Sequence, residues 1–170
     1  MSDLQFYAQP YNIDAEGFFF ANMQQYENRV AACIDRYGQP VEEFEIQFID
    51  GEAIDAQLFE ALGINQATIG SFIEHIGNWD EHQKRILIVA VGDCGYSFTI
   101  GKDDPDDFDV DIYEIGSYRE LAIQFVEDGI MGDIPDHLRF YIDYDAISRD
   151  LRIDYGDITI AGEWLIYRCS

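Results

Sequence analysis

The sequence predicts an α+β fold laid out in three consecutive segments. Hydrophobic residues alternate with a two-residue period near both ends of the chain, which is the strand signature. In the middle they recur at three- and four-residue steps, which is the helix signature. Apolar residues make up 48% of the 170 and aromatics 15%. That is enough for a core, so a disordered chain is not expected despite the high charge.

The first segment, residues 1–51, predicts an antiparallel sheet with a helix. Leu4, Phe6 and Ala8 alternate with polar positions, and "EGFFFANM" reads as a second strand. From Tyr26 to Tyr37 the apolar residues Tyr26, Val30, Ala31, Cys33, Ile34 and Tyr37 share one helical face, with Gly38 as the stop. "VEEFEIQFID" sets Phe44, Ile46 and Phe48 against Glu43, Glu45 and Gln47, a half-buried strand with two carboxylates on its wet face.

Residues 52–92 predict a helical middle domain. Leu58, Leu62, Ile69, Phe72, Ile73 and Ile76 keep helical spacing, interrupted at Gly63 and Gly77. Asp80 is placed to cap a helix entering "EHQKRILIVAV". Propensity alone would make a strand of residues 86–91, but the helical reading is preferred.

Residues 93–170 predict helices with a small antiparallel sheet. "DVDIYEI" is a strand with Asp109 and Asp111 on one face. "SYRELAIQFVEDG" has Ser117 and Glu120 in capping-box spacing, a buried stripe of Leu121, Ala122, Phe125 and Val126, and Gly129 as the stop. Pro135 suits a first helical position, and Leu138, Ile142, Ala146 or Ile147, and Leu151 continue one helix. "ITIAGEWLIYRC" is a hairpin turning near Gly162.

Charge is the strongest global signal. There are 34 acidic and 10 basic residues, a formal net charge of −24. A soluble domain of this size usually carries roughly 2–8 charges of one sign in excess. The three segments carry −7, −4 and −13, so the charge is spread through folded elements and not held in a tail. Nucleic acid and anionic membranes are disfavoured as direct partners, since both are negative. Cys33, Cys94 and Cys169 lie far apart and outside any CxxC, the pattern of free thiols in a reducing cytoplasm. "MSDLQFYAQPYNID" has no basic stretch followed by an apolar core, so no signal peptide is expected. The longest apolar run, Ile86 to Val91, is far short of a membrane span.

The densest acidic stretch is "GKDDPDDFDVDIYE", where six of the nine residues from Asp103 to Asp111 are aspartates. It fails as a calcium loop. Counting from Asp107, Ile112 stands where the sharp turn needs glycine, and Tyr118 stands where a bidentate acid is needed. His75, His82 and His137 form no zinc motif and read as surface histidines near helix ends. No P-loop, GxGxxG or GxSxG is present. Cys94 sits between glycine turns, but its acidic surroundings would raise its pKa, and a loop cysteine is the simpler reading. Neither catalysis, a cofactor nor a metal is expected.

Display of charge remains. Duplex DNA carries one negative charge per about 1.7 Å of axis, so 24 charges match about 40 Å of duplex. A compact chain of this length is itself about 40 Å across. Acid density therefore approaches that of DNA, which allows mimicry of DNA. An acidic interaction module for another basic, DNA-binding partner, or a merely salt-tolerant surface, has the same composition.

The stretch "FDVDIYEIGSYRELAIQFVEDGIMGDIPDHLRFYIDYDAISRDLRIDYGDITIAGEWLIYRCS" closely resembles the C-terminal half of the ArdA antirestriction proteins. The likeness rests on "LAIQFVEDG" (Leu121 to Gly129), "GDIP" (Gly132 to Pro135) and "YIDYDAISRDL" (Tyr141 to Leu151). "LQFYAQPYNIDAEGFFFANM" resembles the family's opening strands more loosely, and the middle segment matches in length and helical character. The resemblance implies an elongated homodimer with three small domains per chain, at 1–51, 52–92 and 93–170. It further implies a mimic of bent B-form DNA that inhibits type I restriction–modification enzymes by occupying the DNA groove of their specificity and methyltransferase subunits. In the family the stretch matching Leu121 to Leu138 is the antirestriction motif, at or near the dimer contact. On this reading Leu121, Phe125, Val126, Ile134, Pro135, Leu138, Tyr141 and Ile142 build the scaffold or dimer. The mimicry then falls to Glu43, Glu45, Asp103, Asp104, Asp106, Asp107, Asp109, Asp111, Glu127, Asp128, Asp133, Asp136, Asp143, Asp145 and Asp150.

Overall fold

A computed structural model describes residues 3–170 and confirms a mixed α+β chain with two small antiparallel sheets. The described residues divide into two compact units, one ending at Phe108 and the other Asp109–Ser170.

In the first unit, β1 (Gln5–Pro10) is the central strand of a sheet ordered β2-β1-β3, with β2 at Phe18–Phe20 and β3 at Phe44–Asp50. Register follows the hydrophobic period: Phe6 lies opposite Phe20 and Phe48, and Ala8 opposite Phe18 and Ile46. One face of each strand is therefore apolar. Phe6 sits at the centre of an aromatic cluster, with ring centroids 5.4 Å from Phe20, 6.0 Å from Phe59 and 6.4 Å from Phe72. Phe59 belongs to α2 (Ala53–Ala61) and Phe72 to α3 (Ile69–His75). The sheet of the first segment and the helices of the second thus share a core, and each fully buried Phe contributes roughly 1.5–3 kcal/mol.

Helix α1 (Met23–Ala32) starts where Asn22 accepts the Gln25 N–H. It stops at Ala32, six residues before the expected Gly38. The Asp35 carboxylate accepts the N–H groups of Tyr37 and Gln39, and Ile34 bridges to Pro40. This local Asp turn offers the backbone better-fixed partners than another helical turn would. Helix α4 (Glu81–Leu87) begins at a full capping box between Asp80 and Gln83, and passes into a π-helical turn, Ile88–Asp93. Residues 85–90 are all buried, so this part of the helix is enclosed on every side and its apolar run does not require a strand. A buried ion pair, Lys84 Nζ to Asp55 Oδ1 at 2.6 Å, ties α4 to α2.

In the second unit, β4 (Val110–Tyr113), β5 (Gly156–Ile160) and β6 (Glu163–Cys169) form a sheet ordered β4-β6-β5. The β5–β6 turn is Ala161-Gly162, with φ of 51° and 87°. Two left-handed residues match the twist of a two-residue hairpin, and glycine takes the second at no steric cost. Helices α5 (Tyr118–Glu127) and α6 (Tyr144–Asp154) complete a core of Tyr118, Leu121, Ala122, Phe125, Leu151 and Ile166. Ser117 caps α5 by accepting the Glu120 N–H, while the Glu120 carboxylate reaches the N–H of Gly116, one residue upstream of the expected partner.

The single helix expected from Pro135 to Leu151 is two. Asp136–Tyr141 is a 3₁₀ helix, Ile142 is extended, and the Asp143 carboxylate accepts the Ala146 N–H to start α6. The cap supplies the break that apolar spacing could not reveal. The expectation of three free thiols is also corrected: Cys33 is free, whereas Cys94 and Cys169 are not, which spacing along a sequence does not reveal.

Candidate acidic interaction surface

The aspartate-rich loop is held by specific bonds. Its first four acids belong to the first unit. The Asp103 carboxylate accepts the Thr99 N–H at 2.7 Å, and Asp104 accepts the Asp106 N–H at 3.0 Å to start a 3₁₀ turn, Pro105–Asp107. Pro105 is buried at the first position of that turn. Phe108 stacks on Tyr96, nearly parallel at 5.8 Å. The Gln83 Nε2 of α4 donates to both Asp106 oxygens at 3.2 Å. All four carboxyls nonetheless stay exposed. The last two acids, Asp109 and Asp111, lie at and in the edge strand β4 of the second unit, both exposed, with Asp111 paired in register with Arg168. Among the described residues, no group of three or more His, Cys, Asp or Glu is placed to hold a metal ion.

The other predicted acids are also exposed. Glu43 and Glu45 lie on the outer side of the β3 region. Glu127 and Asp128 close α5, at the end where the helix dipole is already negative and no basic residue sits in the last turn. That placement costs the helix about 0.3–1 kcal/mol per charge, so fold stability does not account for it. Asp133 stands in the loop before the 3₁₀ helix, and Asp150 on the outside of α6. Three acids also have local tasks: Asp143 caps α6, Asp145 pairs with Arg119 at 3.2 Å, and Asp136 pairs with Arg139 at 3.3 Å. The two ion pairs are surface pairs worth at most about 1 kcal/mol, but they dilute the negative charge offered there.

Sequence reasoning passed over exposed acids in the helical stretch: Glu52, Glu60, Glu74 and Asp93. Each lies off the buried stripe, and that periodicity was a usable signal. Asp55 is the exception in this stretch, since it is buried against Lys84.

The apolar motif residues separate by burial. Leu121, Phe125 and Val126 are inside the second unit. Ile134 and Ile142 are half-buried, while Pro135, Leu138 and Tyr141 are exposed. With Ile130, Met131 and Phe140 they leave a run of large apolar side chains facing outward from residue 130 to 141. No helix among the described residues is long and apolar enough to cross a membrane.

Two α+β units with exposed carboxylates spread over both define an acidic protein in which the described residues form no metal cluster. The chain belongs to the ArdA family: the family model for antirestriction protein (ArdA) matches residues 13–164 of its 170. Membership supports antirestriction as its function. No curated protein matches the chain.

Proposed function

We propose that this protein is a DNA mimic that inhibits type I restriction–modification enzymes. It acts in the cytoplasm as a homodimer, by binding and not by catalysis, and occupies the DNA groove of the specificity and methyltransferase subunits. The observation that carries the reading is the exposure of all fifteen predicted acids, spread over both units of a chain with net charge −24. A basic groove that releases counterions on binding DNA gains the same term from a rigid carboxylate array. The bonds that fix the aspartate loop support rigidity, because ordering charges beforehand removes an entropic cost of binding. The homodimer is supported by the outward apolar residues between Ile130 and Tyr141, of which Phe140 is 94% and Tyr141 84% exposed. A patch of that kind marks a protein contact.

The test is displacement of operator-length duplex DNA from a purified type I methyltransferase. The protein should compete at low salt and lose affinity steeply as salt rises. Failure to displace DNA at low salt, together with salt-sensitive binding to a different basic DNA-binding protein, would favour a general acidic interaction module instead.

A further inference from the structure

The first unit carries an exposed apolar patch that charge mimicry does not use. Tyr11 and Ile13 lie in the loop after β1, and Ile34 and Tyr37 in the loop after α1; Ile13 is 96% exposed and Tyr37 66%. The two loops are stapled together. Asn12 Nδ2 donates to Asp35 Oδ2 at 3.2 Å, the Arg36 N–H donates to the Asp14 carbonyl at 2.9 Å, and Arg36 Nε pairs with Asp14 Oδ1 at 2.9 Å. The Arg36 guanidinium also covers the Tyr37 ring at 4.8 Å. The Gln39 N–H, then the Tyr37 N–H, the Asn12 amide and the charge of Arg36, hold the Asp35 carboxyl below the usual carboxylate range. Beside the patch opens a cavity of about 430 Å³, lined among others by Glu16, Arg29, Cys33, Ile34 and Arg36. Fixed apolar side chains next to a concavity are the geometry of a protein-binding anchor.

DNA offers nothing like this patch, so it does not belong to the mimicry. Exposed Glu16 lines the cavity together with Arg29 and Arg36, and the Glu43 carbonyl accepts the Tyr11 N–H. The contact between copies is already assigned to residues 130–141 of the second unit, which leaves this patch to a different protein. The net charge of −24 favours a cationic one.

We infer that Tyr11, Ile13, Ile34 and Tyr37 form a non-mimetic anchor that docks on an apolar surface beside the basic DNA groove of the inhibited enzyme. This rests on the proposed function and deepens it. Carboxylates then supply salt-dependent attraction, and the anchor supplies a salt-independent share of affinity that slows dissociation.

The experiment compares three proteins on an immobilised type I methyltransferase over a salt series: the unaltered chain, Ile13→Ser/Tyr37→Ser, and Asp106→Asn/Asp107→Asn. Ile13→Ser alone accompanies the double variant as a control on folding, and all are sized by ultracentrifugation. The anchor variants should dissociate about tenfold faster or more, with the slope of log Kd against log salt unchanged. The aspartate variant should flatten that slope. Anchor variants that dissociate like the unaltered chain overturn the anchor and leave the mimicry standing. So does a change in oligomeric state, which would make the patch a contact between copies. No binding by the unaltered chain overturns the proposed function, and the anchor with it.

Discussion

Gln83 accepts the Asp80 N–H through Oε1 and donates through Nε2 to Asp106, so one amide both starts α4 and holds the aspartate loop. Gln83→Glu keeps the acceptor but removes the donor and sets a like charge against Asp106. Hydrogen exchange of residues 99–108 should speed up about tenfold while global stability falls by only about 1 kcal/mol. Unchanged exchange would show that Pro105 and the Tyr96–Phe108 stack hold the loop unaided. Such ties mark the limit of what residues disclose in sequence. That Asp103 to Asp111 are exposed follows from their chemistry and density. That Gln83 reaches Asp106, Lys84 neutralises Asp55 and Arg119 meets Asp145 depends on pairings across 23, 29 and 26 positions, which no local pattern encodes.

Elements were legible where a local polar signal coincided with the hydrophobic period. Asp80 and Ser117 start α4 and α5, and Ala161-Gly162 turns the last hairpin, each where the sequence points. They were illegible where a polar side chain overrode an unbroken apolar pattern, as Asp35 does after α1 and Asp143 does before α6. That second break matters, because it turns the Asp136–Tyr141 stretch outward. Leu138→Asp is therefore expected to abolish the dimer in sedimentation while the chain keeps its melting transition; a variant still dimeric at micromolar concentration contradicts the role given to this stretch. Leu121→Ala, in the core beneath α5, should instead cost roughly 2–5 kcal/mol and unfold the second unit first. The same unit should respond to alkali. Burial, then the charge of Asp111, pushes the Tyr113 phenol up to about 12. The folded state thus holds the phenolic proton more tightly than the unfolded chain, whose tyrosines ionise near 10. This stabilisation is full below about pH 10 and lost as pH climbs to about 12. Tyr113→Phe should remove that pH dependence from denaturant midpoints between pH 10 and 12; an unchanged slope there would assign it elsewhere.

At the scale of the molecule, charge is distributed. The aspartate loop supplies six of 34 acids, and Glu127 and Asp128 sit where a helix would prefer cations. Changing Asp103, Asp104, Asp106 and Asp107 together to Asn keeps one side-chain oxygen acceptor at each position and should weaken inhibition about ten- to a hundredfold without abolishing it. The overall acidity was plain from composition, whereas the target was not, since composition specifies a sign of charge and not a partner. The decisive measurement is therefore the salt dependence of competition with duplex DNA for a type I methyltransferase. Charge mimicry predicts displacement of DNA near 50 mM salt, and an inhibition constant that rises linearly with salt on logarithmic axes with a slope of several counterions. Failure to displace DNA at that salt, or displacement whose strength is flat from about 50 to 200 mM, would contradict it.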